Sequence, residues 1–210
     1  MGHSFICCIV NIGDSIKVRR IAAKYGINRC LISNGKGTAH SKILDFLKIN
    51  EIRREIITMF VENELVHDAM QGICREMAFD KPHHGIAYTY PVGEYIIGST
   101  TDNSDSEVKD SMYKAIHVIV DRGRAEEVIE AAKKAGARGG TIVNARGAGS
   151  HAPHKLFSIE IEPEKEKVII LASKDHKDNI VTAINEHLNI SKPNSGIIYV
   201  LDIAEVYGLR

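Results

Sequence analysis

Lys81-Pro82-His83-His84-Gly85-Ile86 and Lys192-Pro193-Asn194-Ser195-Gly196-Ile197 are one run written twice, and each leads into a short apolar stretch. Lysine, proline and glycine fall at the same places in both. Glycine and proline carry backbone meaning, so their shared spacing points to a duplicated backbone rather than to chance.

Working outward, the two copies stay in step at a near-constant offset. Before each run the spacing predicts a helix, over about 64–77 and 177–188, and before each helix a strand, Ile56–Val61 and Val168–Ala172. Second strands are expected at Cys30-Leu31-Ile32-Ser33 and Thr141-Ile142-Val143. Each is expected to run into a turn, Asn34-Gly35-Lys36-Gly37 or Asn144-Ala145-Arg146-Gly147. Gly26 and Gly136 stand where a first helix ends and positive φ is needed. First strands are expected at Phe5–Asn11 and Ala115–Asp121, both apolar and rich in β-branched residues. The order βαββαβ, twice, predicts an α+β fold of two tandem ferredoxin-like units. Between them Gly98–Ser111 has one lysine against four acidic residues, one valine and no aromatic residue, which cannot build a core. The expected organisation is unit 1 over 1–98, a polar acidic linker over 99–112, and unit 2 over 113–210.

Bulk properties narrow the function. The 27 Lys+Arg balance the 27 Asp+Glu, so no net field draws the chain to nucleic acid or an anionic membrane. No apolar run approaches the roughly 18–20 residues that span a bilayer, and Met1–Ile6 has no signal-peptide features, so no membrane insertion and a soluble, cytoplasmic protein are expected. Cys7, Cys8, Cys30 and Cys74 lack metal-ligand spacing and read as reduced core thiols.

Gly136-Ala137-Arg138-Gly139-Gly140-Thr141-Ile142-Val143-Asn144-Ala145-Arg146-Gly147-Ala148-Gly149 resembles the nitrogen-regulatory PII family of signal-transduction proteins. That family places Gly-x-x-Gly-x-Thr before its second strand and a basic Gly-x-Gly turn after it. Asn194–Leu201 is similar to the family's closing loop and last strand, with Glu205-Val206 following as its tail does. The resemblance covers nearly all of 114–209 and, more faintly, 5–98. It implies a regulator without catalytic activity: a trimer that binds a small anionic effector, such as ATP, ADP or AMP, in clefts between subunits and acts on a protein target, in the family's case in nitrogen regulation. On these residues the ligand-binding set is Thr141, Arg146, Gly147, Gly149, Ser195 and Gly196, with Lys36, Gly37 and Gly85 in the first copy. A Gly-rich turn that leaves convergent N–H groups is a suitable anion nest, and Arg146 or Lys36 adds charge-assisted bonds to phosphate oxygens. The family's closing-loop lysine is absent from both copies, and Leu31 and Ala39 replace the Thr and second Gly of the first binding turn. The second copy is therefore the better placed to hold an anion.

A second reading comes from loop histidines. His151 and His154, with His40, His83 and His84, fall in expected loops, and a divalent-metal-binding protein like the CutA family shares the trimeric ferredoxin-like build. Other signals are weaker. Gly35-Lys36-Gly37-Thr38 lacks the spacing of a phosphate-binding P-loop. Glu160–Lys167 alternates charge as a solvated edge hairpin does. No nucleophile elbow or Cys/His pair is readable, which argues against an enzyme.

Overall fold

The structure is a computed structural model. It describes residues 2–38, 52–92, 94–97, 100–103, 111–146, 154–156, 159–161, 164–192 and 195–209. By contacts the chain divides into two compact units: Met1–Asn34, Arg53–Tyr113 and Asp202–Arg210 make unit 1, while Gly35–Ile52 and Lys114–Leu201 make unit 2.

Unit 1 contains β1 (His3–Asn11), α1 (Ser15–Ala23), β2 (Cys30–Gly37, whose last residues Gly35–Gly37 count with unit 2), β3 (Ile52–Glu62), α2 (Asn63–Met77) and β4 (Gly85–Val92), followed by β5 (Glu94–Ile97) and β6 (Thr100–Asn103). Strands run in the order β2-β3-β1-β4, and β1 pairs antiparallel with both β3 and β4. The period-2 alternation of a strand sorts its faces. Ile6, Cys8 and Val10 of β1 join Ile57, Met59 and Val61 of β3 beneath Val18 and Ile21 of α1 and Met70 and Ile73 of α2. Each such side chain, when fully buried, contributes about 1.5–3 kcal/mol. The other face carries Phe5, Phe60, Tyr88 and Tyr90, with Phe5 5.4 Å from both the Phe60 and Tyr90 rings.

Unit 2 repeats the plan with β7 (Tyr113–Asp121), α3 (Ala125–Lys134), β8 (Thr141–Arg146), β9 (His154–Leu156), β10 (Ile159–Ile161), β11 (Glu164–Ser173), α4 (Lys174–Leu188) and β12 (Ile197–Ile203). The order β12-β7-β11-β8 matches that of unit 1, strand for strand. Ile116, Val118 and Val120 pack with Val168 and Ile170 under Val128, Ile180 and Ile184. In α3, Glu126 and Glu127 open the helix while Lys133 and Lys134 close it, the order that its dipole favours. The last strand, β13 (Glu205–Tyr207), belongs to unit 1, where it pairs antiparallel with β4. Two tandem βαββαβ units are thus present.

Both units hold the start of their first helix with a carboxylate from the third strand. Glu166 Oε2 accepts from the N–H groups of Gly123 at 3.0 Å and Ala125 at 2.9 Å. Glu55 Oε2 accepts from the Ser15 N–H at 3.1 Å. This satisfies helix donors that have no intrahelical partner. The hydrogen bond from Ser15 lowers the Glu55 pKa from the ordinary carboxylate range. A lowered folded-state pKa means that this contribution is present above the unfolded pKa and is lost as pH falls through the folded one. Glu166→Ala is expected to cost about 1–2 kcal/mol at pH 7, read as a lower urea midpoint for unit 2.

Several local expectations are corrected. The expected turn at Asn34–Gly37 is strand: β2 continues to Gly37, and Gly35, Lys36 and Gly37 pair with Val143, Ile142 and Thr141 of β8. Thr38 anchors this segment, its Oγ1 accepting from the Gly140 N–H and donating to the Gly140 carbonyl, both at 3.0 Å. Ladder hydrogen bonds here outweigh the turn preference of Asn and Gly. Likewise β8 extends through Asn144, Ala145 and Arg146. Helix α4 starts at Lys174, ahead of the expected position, behind Ser173. Thr100–Asn103, expected in the linker, pairs with Glu94–Ile97. In the charged stretch Glu160–Lys167, expected as an edge hairpin, the described residues pair elsewhere, β10 with β9 and β11 with β8. Cys7 and Cys8 are buried as expected, but Cys30 is exposed and Cys74 only half-buried.

Candidate functional site

The end of β8 is positioned by β11. Their antiparallel register sets Arg146 opposite Glu164, Asn144 opposite Glu166 and Thr141 opposite Ile169. A cleft of about 370 Å³ opens beside it, lined by Arg122, Asn144, Ala145, Glu164 and Lys165. Arg122 is the residue after β7, so three adjacent strands deliver polar groups to one end of the sheet. Arg122 donates to Glu164, and Lys165 to Asp121. Arg122 and Glu164 are both well exposed, and exposed pairs are worth only about 0.2–1 kcal/mol. An incoming phosphate or carboxylate can therefore take over Arg122 at small cost.

Of the residues expected to bind, Thr141 is buried at the start of β8, where it pairs with Gly37, and Lys36 pairs with Ile142, so these three are brought together. Arg146 ends β8. Gly147 and Gly149 lie outside the described residues, as do His40 and His151. Ser195 and Gly196 precede β12, which is separated from β8 by β7 and β11. Three strand spacings amount to roughly 14 Å. One copy of unit 2 therefore does not place the closing loop against Thr141. Gly85 begins β4 in unit 1. Because β2 and β8 continue as paired strand through Gly37 and Arg146, residues 35–37 belong to a ladder rather than to a turn.

Of the histidines, His154 begins β9, while His84 Nδ1 lies 3.1 Å from the Met77 carbonyl oxygen. Among the described residues no group of three or more His, Cys, Asp or Glu side chains is arranged to hold a metal ion.

A polar cluster that the sequence reading missed lies on the sheet face of unit 2 away from the helices. His117 is 3% exposed, and its Nδ1 stands 2.8 Å from the Tyr199 hydroxyl. Its Nε2 is buried without a hydrogen-bond partner, and Lys167 Nζ lies 5.9 Å from the Tyr199 ring centroid. Burial, with a smaller push from the Lys167 charge, lowers the His117 pKa to about 3. The signal was present in the strand alternation: Ile116 and Val118 face the helices, so His117 must face the other way.

The family model described as nitrogen regulatory protein P-II matches residues 113–210. No curated protein matches the chain. Among solved structures, Arabidopsis thaliana PII bound to citrate is similar at 26% identity, covering 47% of this chain and 81% of that one with a TM-score of 0.36. A B. subtilis GlnK–ATP complex is similar at 19% identity, covering 46% and 93% with a TM-score of 0.36. A further B. subtilis GlnK structure stands at 21% identity, 44% and 85% coverage, and a TM-score of 0.34. No helix among the described residues is long and apolar enough to cross a membrane. Residues 113–210, a little under half of the chain, are thus similar to the nitrogen regulatory protein P-II family.

Proposed function

We propose that the chain is a PII-like regulator without catalytic activity that binds a small anionic effector in clefts between subunits and passes its state to a protein target. The observation that carries this reading is the P-II match over 113–210, the part of the chain whose strand β8 ends on a cleft with Arg122 and Lys165 in its lining. Thr141, Arg146, Gly147 and Gly149 of one chain form one wall, and Ser195 and Gly196 of a neighbour form the other. The separation of β12 from β8 within one unit favours such a shared site. Lys36 and Gly37, laddered to β8, brace it; Gly85 marks the corresponding closing position in the first repeat. A soluble cytoplasmic homotrimer is the assembly that goes with this reading.

The test is a thermal-shift screen with ATP, ADP, AMP, cyclic nucleotides, citrate and 2-oxoglutarate. A true effector at about 100 times its dissociation constant adds about 2.7 kcal/mol of stability. Thr141→Val and Arg146→Ala are expected to abolish the shift. No response to any of these anions would overturn the reading.

A further inference from the structure

The two repeats differ at one sheet edge. In unit 1 the outer edge of β4 is covered by β13, in the register Glu205↔Thr89, Val206↔Tyr88 and Tyr207↔Ala87. The joint is reinforced by Ala204 N–H donating to the Thr89 carbonyl at 2.9 Å and Glu205 N–H donating to Thr89 Oγ1 at 3.1 Å. The equivalent edge in unit 2 is that of β12, which ends its sheet order with no strand on its outer side among the described residues. Its exposed residues are Ile197 at 57%, Val200 at 38% and, near its end, Asp202. An edge strand without a partner on its outer side, with apolar Ile197 and Val200 exposed, is a template for a further strand.

Internal symmetry names the strand that fits. One repeat before Glu205-Val206-Tyr207 stands Glu94-Tyr95-Ile96, an acid and then two residues of high strand propensity. One repeat after Ala87-Tyr88-Thr89 stands Ile198-Tyr199-Val200. Glu94–Ile97 is already a strand, β5, with β6 on one side. No strand covers its other side among the described residues.

We propose that the β12 edge of one chain accepts β5 of a second copy, with Glu94 opposite Val200, Tyr95 opposite Tyr199 and Ile96 opposite Ile198. The β5–β6 hairpin docks whole, using its outer side, so its own ladder remains intact. Backbone hydrogen bonds supply affinity, as in other strand additions. The contact is head-to-tail, leaving each copy with one donor strand and one acceptor edge, and it closes only as a ring.

Two measurements on the full-length chain test this. Oxidation of Glu94→Cys/Val200→Cys is expected to give disulfide-linked multiples of the 23.2 kDa chain, at least tenfold above the background that either single variant shows through Cys30. Ile96→Pro, which breaks the donor strand, is expected to reduce the light-scattering mass from an integer multiple of 23.2 kDa to that of one chain, with far-UV circular dichroism otherwise retained. A wild-type chain that is monomeric at tens of micromolar, or a Glu94→Cys/Val200→Cys variant no more cross-linked than its single parents, would overturn the proposal. The cross-link keeps both strands intact, so it decides the matter even if the proline variant fails to fold.

Discussion

Lowering the pH from 7 to 4 is expected to cost unit 2 about 3 kcal/mol through His117 alone. Its folded-state pKa, pressed down by burial to about 3, lies below the ordinary value of 6.5. Between these values the unfolded chain binds a proton at this site and the folded chain does not. Stability from the neutral ring is therefore complete above pH 6.5 and declines as pH falls towards 3. Protonation would place a cation on a buried ring that has Lys167 nearby and one ring nitrogen already without a partner. Urea unfolding of wild type and of His117→Phe/Tyr199→Phe at pH 7, 5.5 and 4 measures it. The double variant is expected to be less pH-sensitive by about that amount, with carboxylates such as Glu55 supplying the slope that remains. Equal slopes in the two proteins would show that His117 is not held neutral. The first repeat offers an internal control, since Cys7 stands at the position matching His117 and brings no such titration.

The second large effect concerns the pair of glycines in the repeated run. Gly85 has φ of +138° and Gly196 of +146°, a region that side-chain-bearing residues rarely adopt. A Cβ on Gly85 would stand 2.7 Å from the Ile9 carbonyl oxygen, and one on Gly196 would stand 2.7 Å from that of Ile119. Both obstacles are backbone of a central strand, which cannot step aside as a side-chain tip can. Gly85→Ala and Gly196→Ala are each expected to destabilise their own unit by about 2–4 kcal/mol, combining strain with overpacking. Calorimetry of the full chain is the readout, with a substitution at one glycine lowering the transition of the unit that holds it. Alanine tolerated at either position as an innocuous surface substitution is, within about 0.5 kcal/mol, would mean that the first strand does not approach the closing loop as described.

These glycines also show why the fold was legible. Their backbone role is fixed by sterics, so the same letters recur wherever the same close approach recurs, and the repeat could be read from them. Gly26 and Gly136, at φ of +77° and +100°, confirm the expected helix ends. The second helices end differently, on Ala78 and Asn189 in the left-handed conformation. Alanine gives no sequence signal of that state. Periodicity places the start of helix α4 late because Lys174-Asp175-His176 carries no apolar residue, although Ser173 is a common N-cap residue and marks the boundary. The strand at Asn34–Gly37 was not legible because its cause is non-local: the partner lies in the other repeat of the sequence, at Thr141–Val143. The candidate site was half-legible for the same reason. Thr141 and Arg146 announce themselves within one motif, whereas Arg122, Glu164 and Lys165 meet only once β7, β8 and β11 lie side by side.

The inequality of the two repeats is the centre of the functional reading, since the second keeps Thr141, Gly147 and Gly149 while the first has Leu31 and Ala39 at two matching places. Calorimetric titration of the full-length chain with the anion that shifts its melting most measures this directly. One equivalent bound per chain, weakened at least tenfold by Thr141→Val and by Arg146→Ala but unchanged by Leu31→Ala, is the expected result. Two equivalents per chain, or binding that survives both substitutions in the second repeat, would contradict it.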